Sequence, residues 1–296
     1  MAEWYMLALY AAAFATFSTI IHKKLLLKEH ALEFLTTLSI TTAFLSLFFL
    51  IKADFSFSPS VWPLLILISI IDALGSIYFI KAIRHLEISV AAPLMGFEPA
   101  ILVILAFLFL RETITFQQTW GLLLTMLGGY LLEIKKENFS FFQPIKDAMK
   151  SKYFHYMFLA LFLFSISSIF TRYIVNPERN FNLNPYTFAF LIHALVASIL
   201  LLILSLKYDG IEGVKNGIKS MGWLLIPASF FSIMQGFLTL LAIAVPSANV
   251  GLVIVIKRIS IFFETLIGGE LFHDHNLFYK IIASIIIILG IYLVIV

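Results

Sequence analysis

The chain has no cysteine, which excludes disulfides, zinc–thiolate centres and cysteine nucleophiles. It is also poor in charge. Asp, Glu, Lys and Arg make up 12% of its 296 residues, about half of the roughly 25% usual in soluble domains. With 61% of the residues hydrophobic and 31 Phe among them, too little polar surface exists to cover a water-soluble globule. No GxxxxGK[ST] phosphate loop is present, which argues against an ATP-driven pump, and no His-Glu-x-x-His or Gly-x-Gly-Asp is present, which argues against an intramembrane enzyme. The seven His do not show metal-ligand spacing, and "HDH" at 273–275 is a weak candidate at a segment boundary. A net charge of +3 is too small to suggest a nucleic-acid partner. No cofactor or metal is expected.

What the chain does have is long apolar runs, with a mean hydropathy of +1.01. Windows of roughly 20 residues predict ten membrane spans, at about 4–21, 31–51, 61–82, 90–110, 117–134, 153–175, 186–206, 221–245, 248–268 and 277–296. The first carries Glu3 instead of a basic flank, so it reads as a helix of the mature protein and not as a cleavable signal. Sorting the 20 Lys and Arg by link, the large majority, such as Lys23, Lys24, Lys81, Arg84 and Lys146, follow odd-numbered spans. The positive-inside rule then sets those links in the cytoplasm and both termini outside. The expectation is a multi-pass protein of a prokaryotic plasma membrane, in contact with lipid, with a homodimer left open.

The polar stretch "KKENFSFFQPIKDAMKSK" at 135–152 divides the chain into 1–134 and 153–296, with five spans each. The ends of the halves share an order of residues. A shift of 162 sets Glu112 on Asp274, Gly121 on Ala283, Gly128 on Gly290 and Tyr130 on Tyr292. An odd number of spans per half forces opposite insertion, and inverted repeats of this kind are typical of secondary transporters with a midplane site. The segment "SVAAPLMGFEPAILVILAFLFLRETITFQQTWGLLLTMLGGYLL" resembles the end of an EamA domain of the drug/metabolite transporter superfamily. The close of the second half, "IKRISIFFETLIGGELFHDHNLFYKIIASIIIILGIYLV", is similar to the same pattern, with Asp274 at its acid position and Ala283 at its glycine position. The resemblance implies an all-α fold of ten transmembrane helices in two inverted five-helix repeats, and transport as the activity. It also implies cytoplasmic termini, opposite to the charge bias.

Ionisable groups inside spans are costly and usually face a bundle interior or a wet cavity. Lys257 and Arg258 lie side by side at the centre of the ninth span, read as one helix. Glu264 is two turns from Lys257, a long reach for a direct pair, so a partner on another helix or an anionic ligand is more economical. The pair is similar to the Lys-Arg of plastid triose-phosphate translocators, which implies phosphate or carboxylate binding. Glu98, in "PLMGFEP" between Pro93 and Pro99, sits where the fourth helix should be interrupted. It either neutralises the two cations or carries a coupling proton. Asp72, flanked by Ser69 and Ser76 on one helical face, lines a cavity or belongs to a buried polar cluster. His193 is a second proton-carrier candidate against a hydrogen-bonded core histidine. Gln235 is a ligand contact or a helix-to-helix hydrogen bond. Glu33, Lys81, Arg172 and Lys207 are expected to snorkel at span ends, and Glu112 and Asp274 to satisfy helix N-termini.

The leading expectation is a secondary carrier of a small polar metabolite with an anionic group, coupled to protons or to exchange. The alternative is an exporter of amino acids or lipophilic cations selected by Glu98 and Asp72. An intramembrane enzyme or a purely structural membrane protein stands behind both.

Overall fold

A computed structural model describes residues 3–26, 31–86, 94–133, 150–207, 210–271 and 277–296. Nearly all of the linker expected at 135–152 lies outside this set, as do Pro93, Asp274 and the "HDH" stretch. Among the described residues the chain is helical with no strand. Twelve α-helices follow in order: α1 Glu3–Leu26, α2 Ala31–Ser46, α3 Val61–His85, α4 Glu98–Leu105, α5 Phe116–Glu133, α6 Lys152–Val175, α7 Pro185–Lys207, α8 Ile211–Met221, α9 Leu225–Ala244, α10 Val250–Lys257, α11 Ile259–Leu271 and α12 Leu277–Ile295.

Six segments are long and apolar enough to cross a membrane: Trp4–Leu26, Ala31–Lys52, Val61–His85, Lys152–Val175, Pro185–Lys207 and Ile211–Ala244. The remaining four expected intervals hold α4, α5, the α10–α11 pair and α12, which are shorter or interrupted. The protein is therefore a multi-pass, all-α membrane protein. Its outer surface bears Phe44, Phe48, Phe107, Phe109 and Leu206, each more than half exposed, as a chain solvated by lipid requires.

Two departures from the sequence reading matter. The stretch before the eighth span, read as a link, forms α8. Gly213, Val214, Gly217 and Met221 face inward while Glu212, Lys215 and Lys219 face outward. That pattern is expected of a helix lying along a membrane surface. Gly222, at φ +57°, then turns the chain into α9, a conformation that glycine adopts without steric cost.

The second departure is that the ninth span is not one helix. It breaks at Arg258, whose N–H reaches back to the Ile254 and Val255 carbonyls while its own carbonyl accepts from Ile261. The fourth span breaks at the related place, with a turn over Gly96 and Phe97 and the Phe97 N–H donating to Leu94 at 3.0 Å. Gly96 and Arg258 are the 162 residues apart that related the two ends in the sequence.

Helix packing follows the same pairing. α2 packs on α7, α5 on α12 and α4 on α10, while the crossing of α1 with α9 has its counterpart in that of α3 with α6. The α5–α12 contact is the closest. A Cβ built on Gly121 would lie 2.6 Å from the Gly290 carbonyl oxygen, and one on Gly128 would lie 2.9 Å from that of Ala283. Small residues at seven-residue spacing thus let two backbones touch, the usual means of helix association where lipid removes the hydrophobic drive.

Candidate functional site

The site is built on the two interrupted segments. Gly251 lets α10 run tightly against α4, since a Cβ there would sit 3.2 Å from Val103 Cα and collide with its side chain. Asn249 caps α10, its side chain accepting from the N–H groups of Gly251 and Leu252, which fixes where the helix starts. Eight residues later the break delivers Lys257 and Arg258 beside the first turn of α4. The Arg258 guanidinium there forms an ion pair with the Glu98 carboxylate, with both side chains largely buried. Pro99 at the start of α4 has no N–H to lose, so a helix can begin at Glu98 although a proline follows at once.

This pair is incomplete. Arg258 Nε is buried without a hydrogen-bond partner. Lys257, half-buried, forms no ion pair or hydrogen bond among the described residues. It lies within the electrostatic reach of Glu98 and of Glu264. Glu264 differs from Glu98 in forming no ion pair among the described residues, and it lies within the electrostatic reach of Lys257 and Arg258. Two cations and two carboxylates therefore share one region, with only one direct ion pair between them. A crevice of about 290 Å³, counted with its open mouth, reaches Arg258 between α4, α5, α10 and α12. Gly96, Pro99, Thr125, Met126 and Val255 line it, and its enclosed part has room for about one water. In this arrangement the charges are shut off from any metabolite-sized chamber at the crevice.

The other candidates are not brought into this cluster. Asp72 lies beside Ser167 of α6 at the α3–α6 crossing; Ser69 instead donates to the Leu65 carbonyl of its own helix at 2.7 Å. His193 and the side chain of Gln235 make no hydrogen bond among the described residues. The Gln235 backbone carbonyl accepts from Thr239.

Three features escaped the sequence reading. Arg172 does not snorkel; it is 5% exposed. Its Nε donates to Glu112 at 3.0 Å, and its other nitrogens donate to the carbonyls of Ile243, Val245, Pro246 and Ala248. One of these carbonyls, that of Ile243, is in the last turn of α9, and the other three belong to the link that follows it. The second carboxylate oxygen of Glu112 accepts from the Val250 N–H at 2.9 Å, so Glu112 does serve a helix N-terminus, that of α10. A π-turn over Ala106–Leu110 and a left-handed Arg111, at φ 59°, carry the chain there.

The second feature is that Glu264, seen in the sequence only as a distant partner for Lys257, lies within the electrostatic reach of both Lys257 and Arg258. The third is a cluster where α1 crosses α9. Ser18 and Ser232 share a hydrogen bond of 3.0 Å, Ser232 lies 3.0 Å from His22 Nε2, and the His22 ring also reaches the Ala228 backbone. The four-residue spacing of Ser18 and His22 was the only signal available for this cluster.

Residues 2–134 match the family model of the EamA-like transporter family. The N-terminal part of the chain is thus similar to an EamA-like domain, the match covering a little under half of the chain. An uncharacterized protein of Methanocaldococcus jannaschii is 36% identical over 69 residues, 23% of this chain and 50% of that protein. The match thus spans about half the length of that relative. A crystal structure superposes with a TM-score of 0.69 over 99% of both chains at 14% identity, a likeness of fold alone. That superposition runs the full length of the chain, whereas the EamA match stops at residue 134.

Proposed function

We propose that this EamA-type protein is a secondary active transporter of a small polar metabolite with an anionic group. It works by alternating access between two inverted five-helix halves, residues 1–134 and 153–296. The exchange-symmetric helix pairing and the breaks 162 residues apart support the two halves, and the break is where such carriers bind cargo. The observation that carries the substrate reading is Lys257. An ammonium group held inside a membrane bundle without an ion pair is stabilised poorly by its surroundings, and an anionic ligand is the partner that would complete it. Arg258, bidentate in capacity but with Nε unused, offers a second donor once the helices part. Glu98 orients Arg258, and movement of cargo requires α4 and α10 to separate and open the crevice.

A zwitterion such as an amino acid is the second reading, and the balance of two cations and two acids in the cluster favours it. The test is counterflow in proteoliposomes across a set of anions, zwitterions and organic cations. Anion exchange should be saturable and should fall about 10- to 100-fold in Lys257→Gln, as expected for loss of a charge-assisted contact. Unaltered anion exchange in a folded Lys257→Gln protein, or preference for a plain organic cation, overturns the reading.

A further inference from the structure

α8 joins two spans. α7 ends at Lys207 and α9 begins at Leu225, so α8 runs at the level where those spans leave the membrane. It does so with three distinct sides, met in turn at about 100° per residue round the helix. The first side holds Gly213, Gly217, Met221 and Val214, all buried. A Cβ on Gly213 would lie 3.3 Å from Glu33 Cγ and 3.5 Å from Leu204 of α7, and one on Gly217 would lie 3.2 Å from Thr37 Cβ. Two glycines four residues apart thus seat α8 on the start of α2, where positions 33 and 37 have the same spacing.

The second side is apolar and exposed. Ile211 and Ile218, seven residues apart and on one line of the helix, are each half exposed or more, as is Trp223 just beyond the turn at Gly222. The third side holds Lys215 and Lys219, one turn apart and both exposed. Lys215 pairs with Glu212 at 3.0 Å, but an ion pair in solvent contributes little and exchanges readily. Lys219 forms no ion pair among the described residues. The order round the helix is therefore protein, apolar side chains, cations, and then Glu212 and Asn216. With its first side moored to the bundle, the helix turns Ile211 and Ile218 to acyl chains. The two lysines beside them then reach the depth of the lipid phosphates, a depth that the indole of Trp223 also favours.

The charge around α8 has the same sign. Leu25 of α1, Phe34 of α2 and Ile80 of α3 pack in one cluster with Met221 and Leu225. The end of α1, the start of α2 and the end of α3 therefore share one end of the bundle with α8. Lys24, Lys81, Arg84 and Lys207 are exposed there, and Glu33 and Glu212 offset part of that charge. Basic residues at a bilayer surface are drawn to acidic headgroups, whereas a zwitterionic headgroup cancels its own phosphate.

We infer that α8 is a binding surface for acidic phospholipid of the leaflet in which it lies. Lys215 and Lys219 hold the headgroup phosphate, and Ile211 and Ile218 carry the acyl chains. The inference is independent of the cargo and stands or falls without the transport reading above.

Trp223 is the built-in reporter. The full-length protein carrying Trp4→Phe, Trp62→Phe and Trp120→Phe keeps it as the one indole. The protein is placed in nanodiscs of mixed phosphatidylcholine and phosphatidylglycerol, with one of the two lipids brominated on its acyl chains. Brominated phosphatidylglycerol should quench Trp223 more than brominated phosphatidylcholine at the same mole fraction. That preference should fall about fivefold for each of Lys215→Gln and Lys219→Gln, weaken as salt screens it, and persist in Lys52→Gln at the opposite end. The unfolding midpoint of each variant verifies that it is folded. Equal quenching by the two lipids, or a preference that survives loss of both lysines, overturns the inference. So does an absence of quenching by either lipid, which would mean that protein, such as a second copy of the chain, covers this side. Loss of the preference in inorganic phosphate but not in chloride of equal ionic strength would assign the lysines to a free anion and overturn it too.

Discussion

The chain contains two buried Glu–Arg pairs, and they differ in how completely they are satisfied. In the pair of Arg172 with Glu112, the arginine has a carboxylate and four carbonyls as acceptors, and the carboxylate has an N–H besides. In the pair of Arg258 with Glu98, among the described residues, the guanidinium has one acceptor, its buried Nε has none, and the neighbouring Lys257 ammonium forms no ion pair. A saturated network ties α6, the end of α9 and the start of α10 together and offers no free group to a ligand. An unsaturated one holds its shape at a cost, and that cost is recovered when a partner arrives. Identical residue types thus form a saturated anchor in one place and, on the function proposed above, a receptor in the other.

Substitutions should separate the two along a graded series. Arg172→Leu strands Glu112 and four carbonyls, so it should destabilise by about 3–5 kcal/mol, read as a large fall in the midpoint of thermal unfolding in detergent. An equal fall in Arg258→Leu would erase the contrast between anchor and receptor. Gly121→Ala already places a Cβ 2.6 Å from the Gly290 carbonyl oxygen and should cost about 1–3 kcal/mol, with Gly121→Val costing more; an unaltered unfolding midpoint in Gly121→Ala would show that the two backbones do not touch there. Glu98→Gln keeps the shape but removes the charge, at about 1–2 kcal/mol, and anion exchange should slow with it.

Lys257→Met should move stability least of the buried changes, upward if at all, because an unpaired cation leaves the membrane. It should nevertheless abolish counterflow. A loss of stability there would mean Lys257 is paired after all.

Smallest is Asp54, in the link between α2 and α3. The Ser56 N–H donates to its carboxylate at 2.9 Å and holds its pKa below the ordinary aspartate value. Its contribution is therefore full above the usual aspartate range and is lost as pH falls through the lowered value. Asp54→Ala should differ from the native protein in midpoint at neutral pH and converge with it in strong acid.

How much of this was legible in the sequence differs by level. The helices of α1, α2, α3, α6 and α7 follow from apolar length, since a chain in lipid must satisfy its backbone within each span. The interruption of the fourth span was readable from Gly96 and Pro99, because proline and glycine act on their own backbone. The break at Arg258 was not readable, since no residue there forbids a helix; it follows from α10 docking on α4. Snorkelling was the sensible expectation for Arg172 near a span end, and it failed because Glu112 and the carbonyls at and just after the end of α9 accept its hydrogen bonds inside the protein. Glu264 was visible as an acid two turns from Lys257, yet nothing in the chain's order revealed that it lies within the electrostatic reach of Arg258 as well.

The sequence by itself determined the solvent, the helical class and which apolar segments carry charge. These depend on composition and on neighbours a few positions away. Which acid meets which base was decided only by the tertiary structure. Arg258 finds Glu98 across 160 positions and Arg172 finds Glu112 across 60, and at such separations the packing of helices, not the order of residues, sets who is within 3 Å.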